Sequence, residues 1–531
     1  MGNAHGKMTR GLLALGVALA LLASACGGSG SGGSSDDAGS PSSGPAADGT
    51  VNRDGTVKVG FDLTGNGQFN WEPGANSAHP SMDPLWYLAY GRLMRKADDG
   101  TFVPDQAEKV TVVDPTTIEI VVRPGQTWQD GAAFDAESVK VGLDHNLASV
   151  PTDSGFTDAF YAVKSVEVVD PMTVRLGLPG GTAASWYDTF IAAPAVTITR
   201  PSSGYDKPIG AGPMEITSYA FGQNLTMKRF EGYWDSANVN FAEMDFVHIL
   251  NGQAQSSTAA LQSGQADIAT FDTTQLVSMT GDLKPASLSD PSRLMRIGFC
   301  KRDAPLDNEK IRQAITKAID RDAINEVVYE GTATPAVQLW PEGNRFYSPE
   351  VGDEMGYDPE AAKQLVSESG VANPTFDLYV LNNLGGPDTA QVIEQQLKEV
   401  GITANIKIAA DITNEFLGPQ APGAFIFPAT QNADTLKLKD FNGTSLSNLC
   451  RWQDPEIQAL FEQLSTISST TDEAQQAWWE IDQIYADTVP GVPLEFASVV
   501  GGYDSAKLVL DGIYPGGLNL VPDIFTSYME G

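Results

Sequence analysis

Hydrophobic and polar positions alternate along 294–300, and this alternation then gives way to helical spacing. The odd-numbered positions of this stretch are apolar from 295 onward, and a period of two is typical of a β-strand. Beyond Asp307, which we expect to cap a helix, apolar residues recur every three or four positions through 309–329. The segment predicts a strand, a loop and one amphipathic helix, with Arg312 and Arg321 on its solvent-facing side.

The same two periodicities run through the rest of the chain. An alternating stretch at 376–380 is followed by helical spacing that ends at Gly401 and by a second alternating stretch at 402–408. A strand, a helix and a strand in this order predict a βαβ unit with parallel pairing. In the first half, alternating stretches turn back at Asp-Pro dipeptides at 114–115 and 170–171, which predicts two β-hairpins.

Residues 1–25 have the features of a targeting segment. Lys7 and Arg10 come before an apolar run at 11–22 that is too short to span a bilayer as a mature helix. Small residues then lead to Cys26, and this resembles the lipobox of bacterial lipoproteins. The resemblance implies a signal peptide and a diacylglycerol anchor on Cys26, and ordinary secretion with a free thiol is the alternative.

Two more features agree with a location outside the cytoplasm. Residues 26–49 are rich in Gly, Ser and Asp and lack aromatic residues, so we expect a disordered lipoprotein tether. Cys300 and Cys450 are the two cysteines that remain. An oxidising compartment permits a disulfide between them, but the sequence leaves two buried thiols as an open alternative.

Composition narrows the class of function. A chain of 531 residues with 42% hydrophobic content can bury a large core. Its net charge of −34 repels nucleic acid phosphates and anionic membrane surfaces, so we expect no nucleic-acid partner. The four histidines are scattered and neither later cysteine has a nearby histidine. We therefore expect no metal site, no cofactor and no cysteine nucleophile.

Several short motifs follow one another in a characteristic order. They are P-G-Q-T-W-Q-D-G at 124–131, P-I-G-A-G-P at 208–213, P-L-D-N at 305–308, D-P-E-A-A-K-Q-L at 358–365 and W-Q-D-P-E-I at 452–457. Together they resemble the extracellular solute-binding proteins of ABC importers, family 5, the peptide/nickel-type group that includes oligopeptide- and dipeptide-binding lipoproteins. The resemblance extends over roughly 50–496.

This resemblance implies an α/β fold of two hinge-linked lobes, periplasmic-binding-protein-like and of type II, with a first lobe enlarged by a subdomain. We expect lobe 1 at 50–271, with the inserted subdomain at about 87–205, lobe 2 at 272–489 and a return to lobe 1 at 490–531. The resemblance also implies a monomeric, lipid-anchored component of an ABC importer on the outer side of the cell membrane. Such a protein captures an oligopeptide or similar small solute and delivers it to the permease.

Candidate ligand contacts lie in loops at the ends of predicted strands, because buried ligands are held by aromatic walls and a few fixed polar groups. Loop packing or solvated polarity is the alternative for each of them. The candidates are Asn70, Trp71, Trp340, Asn382, Asn383, Phe425, Phe427, Gln431 and Asp434.

The segment 425–434 bears on the substrate class. Peptide-binding members of the family carry Gly-Trp here, followed by an Asp that pairs with the α-ammonium group of the peptide. This chain has Gln431 near the place of that Asp, and Asp434 is the carboxylate that remains. A non-peptide solute, such as a sugar, an opine-like compound or another small cationic or neutral molecule, is therefore the alternative ligand. The four histidines give little support to nickel or haem.

A surface-anchored hydrolase is the alternative from another class of function. Carboxylates are abundant, so a general acid–base pair could be assembled from them. No nucleophile motif and no metal-ligand spacing occurs in the sequence, and we therefore expect a binding protein and not an enzyme.

Overall fold

A computed structural model describes residues 51–64, 71–73, 82–96, 101–149, 163–193, 196–200, 208–249, 254–271, 273–288, 293–381, 385–409, 415–416, 421–430, 436, 441, 443, 448, 451–514 and 519–531. The chain divides into two compact units, Met1–Gly49 and Thr50–Gly531, and every described residue belongs to the second. The predicted signal peptide and tether lie outside the described residues and stay predictions.

The strands and helices alternate along this second unit. The strands are β1 (Val51–Asn52), β2 (Thr56–Phe61), β3 (Met94–Lys96), β4 (Phe102–Pro104), β5 (Ala107–Asp114), β6 (Thr117–Val122), β7 (Ser165–Asp170), β8 (Thr173–Gly177), β9 (Met214–Ala220), β10 (Asn224–Arg229), β11 (Glu243–His248), β12 (Ile268–Thr270), β13 (Leu283–Ser287), β14 (Arg293–Phe299), β15 (Thr334–Pro335), β16 (Thr375–Leu381), β17 (Thr403–Ala409), β18 (Ala424–Thr430), β19 (Gly491–Ala497), β20 (Val500–Asp504), β21 (Leu508–Val509) and β22 (Tyr528–Glu530). The helices are α1 (Asp83–Tyr90), α2 (Ala136–Ser149), α3 (Ala183–Phe190), α4 (Ala254–Ser263), α5 (Glu309–Ala318), α6 (Arg321–Val328), α7 (Pro359–Ser369), α8 (Gly386–Glu399), α9 (Pro455–Leu464) and α10 (Asp472–Thr488).

Lobe 1 is built on a seven-stranded sheet in the order β13-β20-β12-β2-β11-β10-β9. The central strand β2 is parallel to both β11 and β12. On one face, Val57, Val59 and Phe61 pack in a core that includes α1 and the C-terminal segment. On the other face, Ala269 packs in a second cluster with Leu261 of α4. The sheet is therefore covered on both sides, as in a layered α/β domain.

The subdomain of lobe 1 has a four-stranded sheet of its own, in the order β5-β6-β8-β7. Both predicted hairpins are confirmed by its antiparallel pairs β5–β6 and β7–β8. In their turns, Asp114 Oδ1 accepts a hydrogen bond from Thr116 N, and Asp170 Oδ1 accepts one from Met172 N, both at 2.8 Å. These Asx turns explain why Asp-Pro reverses the chain at both places.

Gln129 ties the subdomain to the rest of lobe 1. Its amide nitrogen donates to Ala89 O at 3.0 Å and to Met214 O at 2.9 Å, while its oxygen accepts from Gly210 N at 2.9 Å. Since all three bonds are made to backbone groups, they fix the position of the subdomain without depending on neighbouring side chains.

Lobe 2 is built on a six-stranded sheet in the order β15-β19-β14-β18-β16-β17. The predicted βαβ unit is confirmed, because β16 and β17 are parallel and α8 connects them. One large core lies against this sheet and contains Ile297, Leu378 and Ile426 from the strands. The two-lobe α/β fold implied by the motifs is thus confirmed.

The strand pairings show that the chain crosses from one lobe to the other later than at the predicted boundaries, 271 and 489. Strand β13 lies beyond 271, yet it pairs with β20 in the lobe-1 sheet. Strand β19 lies beyond 489, yet it pairs with β14 in the lobe-2 sheet. The physical reason is strand pairing over long sequence distances, which local periodicity does not encode.

The single helix predicted over 309–329 is instead two helices, α5 and α6. Asn308, not Asp307, caps α5, since its side-chain oxygen accepts from Lys310 N at 3.0 Å. Asp320 caps α6 by accepting from Ala323 N at 3.0 Å. The helical spacing of apolar residues continues across the break because both helices pack against the same core.

The prediction that Arg312 and Arg321 face solvent is wrong, because both side chains are buried. Arg312 Nε donates to Val489 O at 2.9 Å and Arg321 Nε donates to Pro493 O at 2.8 Å. Both guanidinium groups therefore tie the two helices to the backbone around the start of β19.

Candidate functional site

Three parallel strands of lobe 1 end at the same edge of its sheet. His248, the last residue of β11, is in register with Phe61, the last residue of β2. Ala269 of β12 is in register with Gly60 on the other side of β2. In open α/β sheets, ligands bind at the carboxyl ends of parallel strands, so we call this the carboxyl edge of lobe 1.

Asp62 follows β2 at the carboxyl edge and is only 1% exposed. Its Oδ1 accepts from Thr64 N at 2.9 Å and from the Thr64 hydroxyl at 2.6 Å, and it lies 3.9 Å from His248 Nδ1. Its Oδ2 is buried and has no hydrogen-bond partner among the described residues. Desolvating a carboxylate oxygen without a partner is costly, so this oxygen needs an explanation.

His248 is held in a defined tautomer at the same edge. The Leu63 backbone N–H donates to His248 Nδ1 at 3.2 Å. Because Nδ1 is the acceptor, a neutral ring carries its hydrogen on Nε2. The nitrogen nearest to the Asp62 carboxylate is therefore the acceptor Nδ1, and the N–H donor of the neutral ring is on Nε2.

Asn519 supplies a second polar group at the carboxyl edge. The adjacent Leu520 N donates to Thr270 Oγ1, at the end of β12, at 2.7 Å. The Asn519 side chain is fully buried, and neither its nitrogen nor its oxygen has a hydrogen-bond partner within the described ranges. A buried amide offers both donors and an acceptor, which suits the polar groups of a bound solute.

Trp71, one of the predicted ligand contacts, packs within the core of lobe 1. Its ring is 2% exposed and lies edge-to-face against Tyr90 and Tyr219, with centroids 6.4 and 5.7 Å away. The Tyr90 hydroxyl also donates to Trp71 O at 2.7 Å. This packing holds Trp71 within the core of lobe 1.

Trp340, another predicted contact, packs within the core of lobe 2. It is 1% exposed, and its ring centroid lies 5.1 Å from those of both Phe346 and Trp478. These contacts account for its burial by packing, and its ligand role stays a prediction.

Phe425 and Phe427 lie on β18, on the face opposite the main core of lobe 2. Their rings stack with centroids 5.0 Å apart and planes within 10°, and Phe416 and Tyr379 complete the cluster. We call these four residues the aromatic wall. The alternation of the strand produces it, because Ala424 and Ile426 point into the core instead.

Arg296 brings positive charge to the aromatic wall. It is paired with Phe427 in the register of β14 and β18, and its guanidinium carbon lies 4.6 Å from the centre of the Phe427 ring. Such a cation–π contact stabilises a desolvated guanidinium by about 1–2 kcal/mol. Burial at the strand start also lowers the pKa of Arg293 to about 10, which leaves it charged at neutral pH.

The remaining predicted site residues lie outside the described residues. They are Asn70, Asn382, Asn383, Gln431 and Asp434, together with Cys26 and Cys450. The strands that precede two of these loops, β16 and β18, are described and are parallel neighbours, so their carboxyl ends lie at one edge. Asn382 and Gln431 directly follow these ends in sequence, and their ligand roles stay predictions.

Cys300 is disulfide-bonded. Of the two other cysteines, Cys450 was the predicted partner, but it lies outside the described residues, so this pairing stays a prediction. Across the described ranges, no group of three or more His, Cys, Asp or Glu side chains is arranged to hold a metal ion. No described helix combines the length and apolar character needed to cross a membrane.

Sequence reasoning missed Asp62, His248, Arg296 and Asn519. The signal for Asp62 was its place directly after the first parallel strand, and His248 ends the next one. Nothing local marked Asn519, because its burial depends on contacts with strands far away in sequence.

Comparisons with known proteins agree with this geometry. Residues 101–441 match the family model described as "Bacterial extracellular solute-binding proteins, family 5 Middle". The glutathione-binding protein GsiB of Pectobacterium atrosepticum is 27% identical over 450 residues, which cover 78% of this chain and 83% of that protein. GsiB of Salmonella paratyphi A is 30% identical over 318 residues, which cover 56% of this chain and 60% of that relative.

A solved structure shares the fold. The dipeptide-binding protein from Pseudoalteromonas sp. SM9913, in complex with Met-Leu, superposes with a TM-score of 0.76 and 17% sequence identity. The superposition covers 90% of this chain and 100% of the other. At this identity the likeness concerns the fold alone.

Proposed function

This chain belongs to the bacterial extracellular solute-binding proteins of family 5, and on that premise we propose that it captures a small peptide-like solute between its lobes and delivers it to an ABC permease. As a member of this family it is an extracytoplasmic solute-binding component of an importer and not an enzyme. Binding requires only that the closed arrangement of the lobes makes contacts that the open one lacks.

The solute we propose carries a free ammonium group. The buried Asp62 Oδ2, which has no partner in the described part of the chain, carries this proposal. A charged donor would supply the missing hydrogen bond, and such charge-assisted bonds are about twice as strong as neutral ones. The neighbouring Asn519 amide would pair with amide groups of the same solute.

The other features of the site suit the rest of a short peptide. The aromatic wall offers stacked rings for an apolar side chain, and aromatic rings bury much surface at small entropic cost. Arg296 adds the positive charge that a carboxylate needs. The name of the GsiB relatives, glutathione-binding protein, supports a small peptide with free amine and carboxylate groups.

A non-peptide solute with the same polar groups is the second candidate. Gln431 stands near the position where peptide-binding members carry an Asp, and this departure favours a non-peptide solute, such as a sugar, an opine-like compound or another small cationic or neutral molecule. Asp434 remains a candidate for the ammonium group in either case.

Calorimetry tests the proposed ligand class. The purified protein is titrated with reduced glutathione, with Met-Leu and with trialanine, and each is matched by its N-acetylated form. We expect micromolar or tighter binding of at least one free-amine peptide, and about a hundredfold weaker binding once the amine is acetylated. Equal affinity for acetylated and free forms would contradict the role of Asp62, and no binding at all would favour a non-peptide solute.

We also propose that Cys26 carries the lipid anchor, since small residues directly precede it. Acyl chains on one cysteine anchor a protein stably without a transmembrane helix. Cys26→Ser should release the protein from the membrane fraction into the medium, and retention of the variant would count against the anchor.

A further inference from the structure

A hydrogen-bonded contact joins the subdomain of lobe 1 to lobe 2. Asp188 lies on α3, and its Oδ2 accepts from Ser468 Oγ at 2.6 Å, from Ser469 N at 2.8 Å and from Ser469 Oγ at 3.2 Å. Both serines lie in the connection between α9 and α10 of lobe 2. We call these three residues the interlobe contact.

The subdomain holds Asp188 on a fixed helix face. Ala183, Trp186 and Phe190 are the buried residues of α3, so the helix packs inward through one side and presents Asp188 on the other. The neighbouring Tyr187 ring lies edge-to-face against Phe102 at 5.4 Å. The carboxylate is therefore positioned by packing within lobe 1 and not by lobe 2.

Lobe 2 preforms the loop that meets it. Thr471 caps α10 by accepting from Ala474 N at 3.2 Å, and its own hydroxyl donates to Ser468 O at 3.0 Å. Arg345 donates to Thr471 O at 2.9 Å. These bonds all lie within lobe 2, so lobe 2 itself holds the backbone that carries both serines.

The serines provide the hydrogen bonding of this carboxylate. No lysine, arginine or histidine of the described ranges forms an ion pair with Asp188. Three donors converge on one charged oxygen, and bonds to a charged acceptor are stronger than neutral ones.

We infer that Asp188 is a positioning residue that stabilises the closed arrangement of the lobes and thereby slows release of the solute. The inference rests on the proposed capture of a solute between two lobes. Asp188 acts through Ser468 and Ser469 and does not contact the solute. A contact made only when the lobes meet shifts the equilibrium between open and closed forms.

Small-angle scattering of the purified protein without added solute tests the inference. Asp188→Ala and the double variant Ser468→Ala/Ser469→Ala should each lower the ratio of closed to open molecules by about tenfold, which appears as a larger radius of gyration. Asp188→Asn should fall between them and the wild type. Glu137→Gln, an exposed carboxylate of the same subdomain, is the matched control and should leave the profile unchanged.

Release kinetics with glutathione as the probe give a second measurement. Both contact-breaking variants should release glutathione about tenfold faster, with an unchanged association rate. Identical scattering profiles and identical release rates in wild type and variants would overturn the inference. If glutathione does not bind at all, the ligand proposal fails while the scattering comparison still decides the interlobe contact. If Asp188→Ala does not fold, the serine variant carries the test, since it leaves α3 intact.

Discussion

The carboxyl edge of lobe 1 and the aromatic wall of lobe 2 offer different chemistry. At the carboxyl edge, Asp62 and Asn519 are buried with polar atoms that have no partner in the described parts of the chain. At the wall, Phe425 and Phe427 stack on one another and Arg296 lies over the outer ring. Under the proposed function, the polar edge gives selectivity, because the wrong solute leaves those groups unpaired. A stacked wall gives contact area and tolerates many solutes.

Two buried carboxyl groups, those of Glu495 and Asp62, also differ from one another. Glu495 of β19 is fully buried and neither oxygen has a hydrogen-bond partner in the described ranges. Burial raises its pKa to about 8, although the charge of nearby Arg321 acts in the opposite direction. Glu495 therefore avoids the cost of an unpaired charge by holding a proton, whereas Asp62 lies at the carboxyl edge of lobe 1, where the proposed function has a solute pair with it.

The largest loss of affinity for glutathione is expected from Asp62→Asn. The amide oxygen can still accept from Thr64, so the turn is kept, but the charge that would pair with an ammonium group is lost. Affinity for glutathione should fall about a hundredfold, measured by calorimetry. Asp54→Asn, an exposed carboxylate in the turn before β2, is the control. Unchanged affinity in Asp62→Asn would remove the distinction between the two surfaces.

A smaller effect is expected from Phe427→Ala. The change removes one ring of the stacked pair and the ring that faces Arg296, so affinity should fall about tenfold. Phe221, which is 54% exposed in lobe 1, gives the matched control Phe221→Ala. If Phe427→Ala binds glutathione as tightly as the wild type, the aromatic wall is not a binding surface.

The smallest effect on binding is expected from Glu495→Gln, which acts on stability. The pKa of Glu495 is about 8 in the folded protein, whereas its ordinary value is 4.5. Between these two pH values, the folded protein keeps a proton on Glu495 that the unfolded chain has released. Stability therefore falls as pH rises from 5 to 8. The neutral glutamine amide does not titrate, so the variant avoids this loss of stability. Its Tm at pH 8 should exceed that of the wild type by about 5 °C, and the two Tm values should agree at pH 5.

Calorimetry on Glu495→Gln then separates the two kinds of buried carboxylate. Its affinity for glutathione should stay within about twofold of the wild type, and Glu480→Gln on the exposed side of α10 is the control for stability. A large loss of affinity in Glu495→Gln would mean that burial without a partner marks a ligand site in the lobe-2 interior as well.

Much of the local structure could be predicted from periodicity and turn residues. The βαβ unit at β16–α8–β17 and both Asp-Pro hairpins are confirmed, because each depends on residues close in sequence. The two-lobe fold came from the order of motifs. The cap of α5 was misplaced by one residue, since Asp307 and Asn308 are both suitable capping types and only the backbone geometry selects Asn308.

The candidate site was only partly predictable. Trp71, Trp340, Phe425 and Phe427 were all predicted as ligand contacts; Trp71 and Trp340 pack in the cores of their lobes, while Phe425 and Phe427 form a separate surface. An aromatic side chain has the same local pattern in both settings, so the sequence does not separate them. The polar residues of the carboxyl edge were missed because their burial comes from distant strands.

By itself, the sequence determined the class of the chain: an extracytoplasmic two-lobe binding protein built from units that its own short-range patterns describe. The tertiary structure decided which side chains pack in the core of a lobe and which lie at the carboxyl edge of lobe 1 or in the aromatic wall of lobe 2. It buried Arg312 and Arg321 against β19, joined Asp188 to a loop 280 residues away and brought Asp62 and Asn519 to one sheet edge. The reason is that burial and pairing are set by contacts between distant segments, and a local pattern carries no information about them.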